Sequence, residues 1–115
     1  MRAGICTGIT RVFEIRADVD WMKRVNCKGI VLGRRILFSM PAEEIPIWLF
    51  RHEVEHAYQQ IREGRVLFYL KYFYYSVRYG YHYNPYEIQA RDREKLPLTD
   101  SEEQALWKLR EDSQN

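Results

Sequence analysis

Cysteine is almost missing from this chain of 115 residues: there are two, Cys6 and Cys27, with no C-x-x-C spacing. That excludes a disulfide framework and a cysteine-built metal site, and both read as reduced thiols. Long apolar runs are missing too. Nothing approaches the roughly 20 residues of a membrane-spanning helix, so no membrane partner is expected. The start, Met1 to Gly8, lacks the apolar stretch of a secretory signal and points to a cytoplasmic protein. Charge of one sign is not in excess either. Eighteen Lys and Arg against sixteen Asp and Glu leave a net +2, too little to imply a polyanionic partner, and no nucleic acid is expected. Repeats, low-complexity tracts and long linkers are absent, which makes residues 1–115 a single compact domain.

What is present is patterned. Ile9 to Arg16 alternates with Ile9, Arg11, Phe13 and Ile15 on one side, as a half-buried strand does. Ala17 to Val25 suits a short helix preceded by an aspartate cap. Lys28 to Leu32 and Arg34 to Ser39 are two strand-like runs around Gly33, a hairpin or bulge position. Residues 1–44 are therefore mainly sheet. Pro41 and Pro46 punctuate the entry to a long helix from Ile45 or Pro46 to Glu63, with Glu43 and Glu44 near its start and Gly64 after its end. Its core stripe is Ile47, Phe50, Val54, Ala57 and Ile61. A second helix, Val66 to Gly80, aligns Val66, Leu70, Phe73 and Val77. Eight of the nine tyrosines fall between Tyr69 and Tyr86, where they cover a small core or line a groove. Asn84-Pro85-Tyr86-Glu87 and Thr99-Asp100-Ser101-Glu102 are capping-box patterns opening two further helices. The last helix packs through Leu106, Trp107 and Leu109, and Ser113 to Asn115 fray.

The chemistry is concentrated in the long helix, where His52-Glu53-Val54-Glu55-His56 spells H-E-x-x-H off the core stripe. Residues four apart lie one turn up the same face, so both imidazoles reach one ion. A hydrolytic zinc site needs three protein ligands and an open position for water. His52 and His56 supply two, and the third is His82 or, better, a carboxylate. Glu87 opens a new helix 31 residues after His56 and suits the role, although its capping-box position explains it without any metal. Glu53 is then the general base that orients the water and takes its proton. Glu55 reads as a solvated acid.

His52-Glu53-Val54-Glu55-His56 followed by Asn84-Pro85-Tyr86-Glu87-Ile88-Gln89-Ala90 resembles the gluzincin clan of zinc metallopeptidases, in particular the single-domain minigluzincins, over roughly residues 28 to 94. The resemblance implies one Zn²⁺ bound by His52, His56 and Glu87, with Glu53 as base and proton shuttle. It also implies that the strand around Arg34 to Phe38 borders the cleft and pairs with an extended peptide or protein substrate. The position four after the glutamate, where the clan often has a residue buttressing a ligand histidine, is Arg91, with Asp92 one step off register. Tyr79, His82 and Tyr83 are the candidate transition-state groups. A terminal segment holds some minigluzincins latent, a role open to residues 95 to 115.

The expected fold is α+β: a small, mostly antiparallel three-stranded sheet beside the H-E-x-x-H helix and a glutamate helix, with the metal-site helices in 45–94 and a C-terminal helix and tail in 95–115. The expected activity is zinc-dependent peptide hydrolysis. Its rivals are a non-catalytic, zinc-stabilised protein-interaction domain and a nucleic-acid binder using Arg and Tyr between 65 and 91.

Overall fold

The computed structural model describes residues 13–113. Strand β1 is Glu14–Arg16, with Phe13 buried and Ile15 half-buried on its inner side. The rest of the expected strand, Ile9 to Val12, lies outside the described residues, as does Cys6. Helix α1, Asp20–Arg24, buries Met22 and leaves Trp21 outside. No aspartate caps it: Val19 holds the N-cap, and Asp18 pairs with Lys23 instead. Gly33, at φ +57°, turns β2 (Gly29–Leu32) into β3 (Arg35–Phe38), with Gly29 opposite Phe38 and Leu32 opposite Arg35.

The sheet is mixed, with strand order β1-β3-β2. The passage through α1 returns the chain so that β2 runs against β1. β3 then inserts between them, antiparallel to β2 and parallel to β1, with Glu14 opposite Arg35. The three-stranded sheet forms as expected but with one parallel pairing, because the hairpin's second strand takes the central place.

Glu43 and Glu44 do not sit at the start of the long helix. They form a separate 3₁₀ turn, Ala42–Glu44, and helix α2 runs from Ile47 to Glu63 behind Pro46. Phe50, Val54 and Ala57 are fully buried, joined by Leu49, and Phe50 stacks on Phe38 at 5.8 Å. Ile47 and Ile61, at 54% and 47% exposure, drop out of the expected stripe. A 17-residue helix is about 25 Å long and a four-residue strand about 13 Å, so a strand is too short to run its whole length.

Gly64, at φ +86°, alone separates α2 from α3 (Arg65–Tyr79); a side chain there would be strained. Helix α3 reverses the predicted orientation. Val66, Leu70, Phe73 and Val77 are 64–74% exposed, whereas Phe68 is buried and Tyr72 and Tyr75 are half-buried. Positions 68, 72, 75 and 79 have the same spacing as 66, 70, 73 and 77, so periodicity permits either face. The chosen one puts the Tyr72 hydroxyl on the buried Glu87 carboxylate.

Two further helices complete the body, α4 (Pro85–Arg93) and α5 (Asp100–Ser113). The second capping box forms as expected: Glu102 N–H donates to Thr99 Oγ1 at 3.3 Å, and Thr99 N–H to Glu102 Oε1 at 3.1 Å. Glu102 also accepts from Arg51 Nη1 at 2.6 Å, and both side chains are buried. Ala105 and Leu106 enter the core, Leu109 packs at its edge, and Trp107 stays 58% exposed. Arg110 donates to the carbonyls of Ala42 and Ile45 at 3.2 Å each. No helix among the described residues is long and apolar enough to cross a membrane.

Candidate metal centre

Helical spacing on α2 brings His52 and His56 together, their rings 4.9 Å apart at 76° and both buried. Helix α4 supplies the third group. Its N-cap, Asn84, is fully buried; the side chain accepts from Tyr86 N–H at 2.9 Å and donates to Tyr72 C=O at 3.1 Å and Ser76 Oγ at 3.0 Å. One asparagine thus starts α4 and fixes it to α3. Gln59 holds the same turn from the other side, donating to Tyr86 C=O at 3.0 Å. Glu87 therefore does not fold back as a capping-box partner. Its carboxylate points at α2, 3.1 Å from His52 Nε2 and 3.2 Å from His56 Nε2, and accepts from the Tyr72 hydroxyl.

This donor set fits a metal ion. One ligand atom from each of His52, His56 and Glu87 lies within 4.8 Å of the others, and all three residues are buried. Ligands about 2.0 Å from a tetrahedral zinc are about 3.3 Å from one another, close to the separations seen. The outer nitrogens are engaged as a ligand histidine requires. His52 Nδ1 meets Glu94 Oε2 at 2.6 Å, and His56 Nδ1 meets Gln59 Oε1 at 2.9 Å. In neutral imidazoles, donation from each Nδ1–H would leave both Nε2 lone pairs available to an ion.

The charges are strongly coupled. Burial alone would raise the Glu87 pKa, but hydrogen bonds from His52, His56 and Tyr72 outweigh it and hold the carboxyl far below the usual range. Burial opposes protonation of both histidines, yet Glu87 and Glu53 overcome it and raise them above the ordinary imidazole value. Burial pushes the Glu53 carboxyl up, against the opposing pull of His56 and His52. A carboxylate raised in this direction is a better proton acceptor near neutrality.

Glu53 extends from α2 toward β2. A Cβ on Gly29 would lie 3.0 Å from Glu53 Cγ and 3.1 Å from Oε2, so glycine makes room for this acid. Two open clefts, of about 460 and 450 Å³, meet here and share Cys27, Gly29, His52, Glu53 and Tyr81 in their walls. The first continues along β2 between Phe68, Tyr69 and Tyr72; the second runs past Lys28, Trp48, His82 and Arg91. Cys27 is no activated nucleophile, since burial and then the Glu53 charge push its thiol up.

Several expectations need correction. The strand bordering the cleft is β2, not the one around Arg34 to Phe38, because β3 is paired on both sides. Of the three suggested transition-state groups, His82 lines the second cleft, while Tyr79 and Tyr83 are not among the residues of either wall. Tyr81 lines both instead; burial and then Glu87 push its hydroxyl up to about 12, so it remains a donor. Glu55 is buried, 2.9 Å from Arg62 and 3.5 Å from Arg93, and ties α2 to α4. Arg91 donates to His82 C=O, and the buttress of His52 comes from Glu94, seven residues after Glu87. Residues 95 to 113 contribute to neither wall; they pack on the 3₁₀ turn and Arg51. Glu94 and Gln59 were findable, since they lie two turns and one turn along a helix from a suspected ligand. Tyr72 gave no such signal within its tyrosine-rich run.

Comparison with protein-family models, with curated proteins and with solved structures returned no match.

Proposed function

We propose that this protein is a zinc-dependent peptidase. The observation behind the reading is the convergence of two inward-facing Nε2 atoms and the Glu87 carboxylate, beside the raised carboxyl of Glu53, where two open clefts join. A zinc ion in this cradle would supply a Lewis acid able to lower the pKa of water at its open position to about 7.

The chain's own residues do the rest. Glu94 and Gln59 hold the imidazoles in the tautomer that presents Nε2, and Tyr72 steadies Glu87. Glu53 accepts the proton of a water attacking the peptide carbonyl, then returns it to the leaving nitrogen as the C–N bond breaks. Tyr81, at the junction of the clefts, donates to the carbonyl oxygen as negative charge develops.

A closed structural site would surround the ion with four protein donors, whereas the described residues offer three beside open clefts. The non-catalytic interaction reading draws on a different observation, the exposed line Val66, Leu70, Phe73 and Val77. One experiment separates the two. Zinc-loaded protein should cleave members of a mixed peptide library, and Glu53→Gln should keep its zinc and lose cleavage. Persistent cleavage by that variant would refute the base assignment; full zinc occupancy with no cleavage by the wild type would favour the interaction domain.

A further inference from the structure

The edge of β2 that borders the first cleft has a defined hydrogen-bonding phase. Ser39 N–H donates to Lys28 C=O at 3.1 Å, and Gly29 lies opposite Phe38. The antiparallel alternation then turns the backbone groups of Lys28, Ile30 and Leu32 toward β3, and those of Gly29, Val31 and Gly33 outward. β2 is the end strand of the sheet, and Gly29 sits against Glu53. An extended peptide adding to this edge would place its backbone beside the general base.

One side chain interrupts that edge. The Tyr69 hydroxyl donates to Val31 C=O at 3.1 Å and accepts from Gly33 N–H, also at 3.1 Å. Gln60 Nε2 donates to the same oxygen at 3.2 Å, and the ring rests on Phe68, centroids 5.3 Å apart. A single hydroxyl therefore occupies two of the outward backbone groups, Val31 C=O and Gly33 N–H, that a peptide paired along this edge would use. The distance available from Gly29 to Val31 is two strand steps, about 7 Å. In the other direction the groove continues into the second cleft, past Lys28, Trp48 and Arg91.

We propose that Tyr69 is an end-stop that limits substrate to about two residues on its side of the cleaved bond, making the protein an enzyme that trims short pieces from one end of an extended peptide. The terminal residue is apolar, because the wall around it is Val31, Phe68, Tyr69 and Tyr72. This rests on the peptidase reading above.

The test uses zinc-loaded Glu53→Gln protein and fluorescent peptides lengthened one residue at a time from either end, with Kd read by anisotropy. Lengthening on one side should strengthen binding continuously; on the other, extension beyond about two residues should weaken it about tenfold, since the added residue must displace a satisfied hydrogen-bonded group. Adding Tyr69→Ala should remove that break, with the shortest peptides weakened by loss of the ring from their wall. Tyr69→Phe, which keeps the ring and loses the hydrogen bonds, should reduce the break without abolishing it. Wild-type digests should release terminal pieces of about two residues by mass spectrometry. Equal gains in both directions, or an unchanged break in Tyr69→Ala, would overturn the end-stop alone. Failure of every peptide to bind or be cleaved would overturn the peptidase reading together with it.

Discussion

Glu94 braces His52, a candidate metal ligand, and removing it should weaken zinc binding without dismantling the site. Its Oε2 lies 2.6 Å from His52 Nδ1, and the side chain is 26% exposed. Glu94→Ala therefore deprives the imidazole of a charged acceptor, while water can reach part of the vacated space. Loss of such partners typically weakens metal binding 10 to 100-fold, or about 1.4–2.7 kcal/mol. Partial access of water places this case near the lower end, at roughly 10 to 30-fold. Glu94→Gln keeps an acceptor oxygen and loses only the charge, so about threefold is expected. The assay is competition for zinc against a chromophoric chelator at fixed pH, with exposed Glu111→Gln as the control for a simple change of net charge. Affinity of Glu94→Ala within about twofold of the wild type would show that His52 is oriented by something else, and the ligand geometry would need another explanation.

Three other outcomes follow from the same structure. Gly29→Ala should keep full zinc occupancy and nearly unchanged stability while lowering kcat about tenfold, since a Cβ 3.0 Å from Glu53 Cγ displaces a flexible side chain rather than backbone; unchanged peptide turnover would refute it. In the metal-free protein, His52 and His56 are raised from 6.5 and Glu87 is lowered from 4.5. The histidine contribution to stability is thus full below 6.5 and lost as pH rises through the raised values, and the Glu87 contribution is present above 4.5 and lost as pH falls. Denaturant midpoints should accordingly decline as pH rises above 6.5 without metal, while zinc affinity climbs by up to about tenfold per pH unit for each proton displaced; a rising metal-free midpoint would contradict this coupling. Glu102→Ala leaves the buried Arg51 guanidinium without its partner and should cost about 3–5 kcal/mol by chemical denaturation, against a change near zero for the exposed Glu14→Gln pair.

The parts of the site that were legible in the sequence are those governed by local geometry. Four-residue spacing on a helix joins His52 to His56 whatever the tertiary fold, and Asn84-Pro85 starts a helix in any context. The role of Glu87 was ambiguous because a capping-box position and a ligand position coincide; only the placement of α4 against α2 separates them. The long-range choices were not legible. Periodicity marks two equivalent lines on α3, and the tyrosines on one of them decide which turns inward. The parallel pairing of β1 with β3 depends on which hairpin strand takes the centre. Glu102 reads fully as a cap, yet it also neutralises Arg51, 51 residues away. Glu55 reads as solvated because nothing nearby announces Arg93 as its cover.

The Arg51–Glu102 pair gives the last helix a bearing on how this protein would be turned over. Arg51 immediately precedes His52, and its counter-ion arrives from a helix that follows the connection from Glu94 to Thr99, where Lys95, Leu96 and Pro97 are exposed. A protease nick in that connection would leave α5 held to the body by its core packing, the Arg51–Glu102 pair and the Arg110 hydrogen bonds. Loss of α5 would leave an unneutralised guanidinium beside the candidate metal ligand His52. Displacing α5 would then destabilise the helix that carries His52 and His56 rather than uncover a cleft, since α5 lines neither wall.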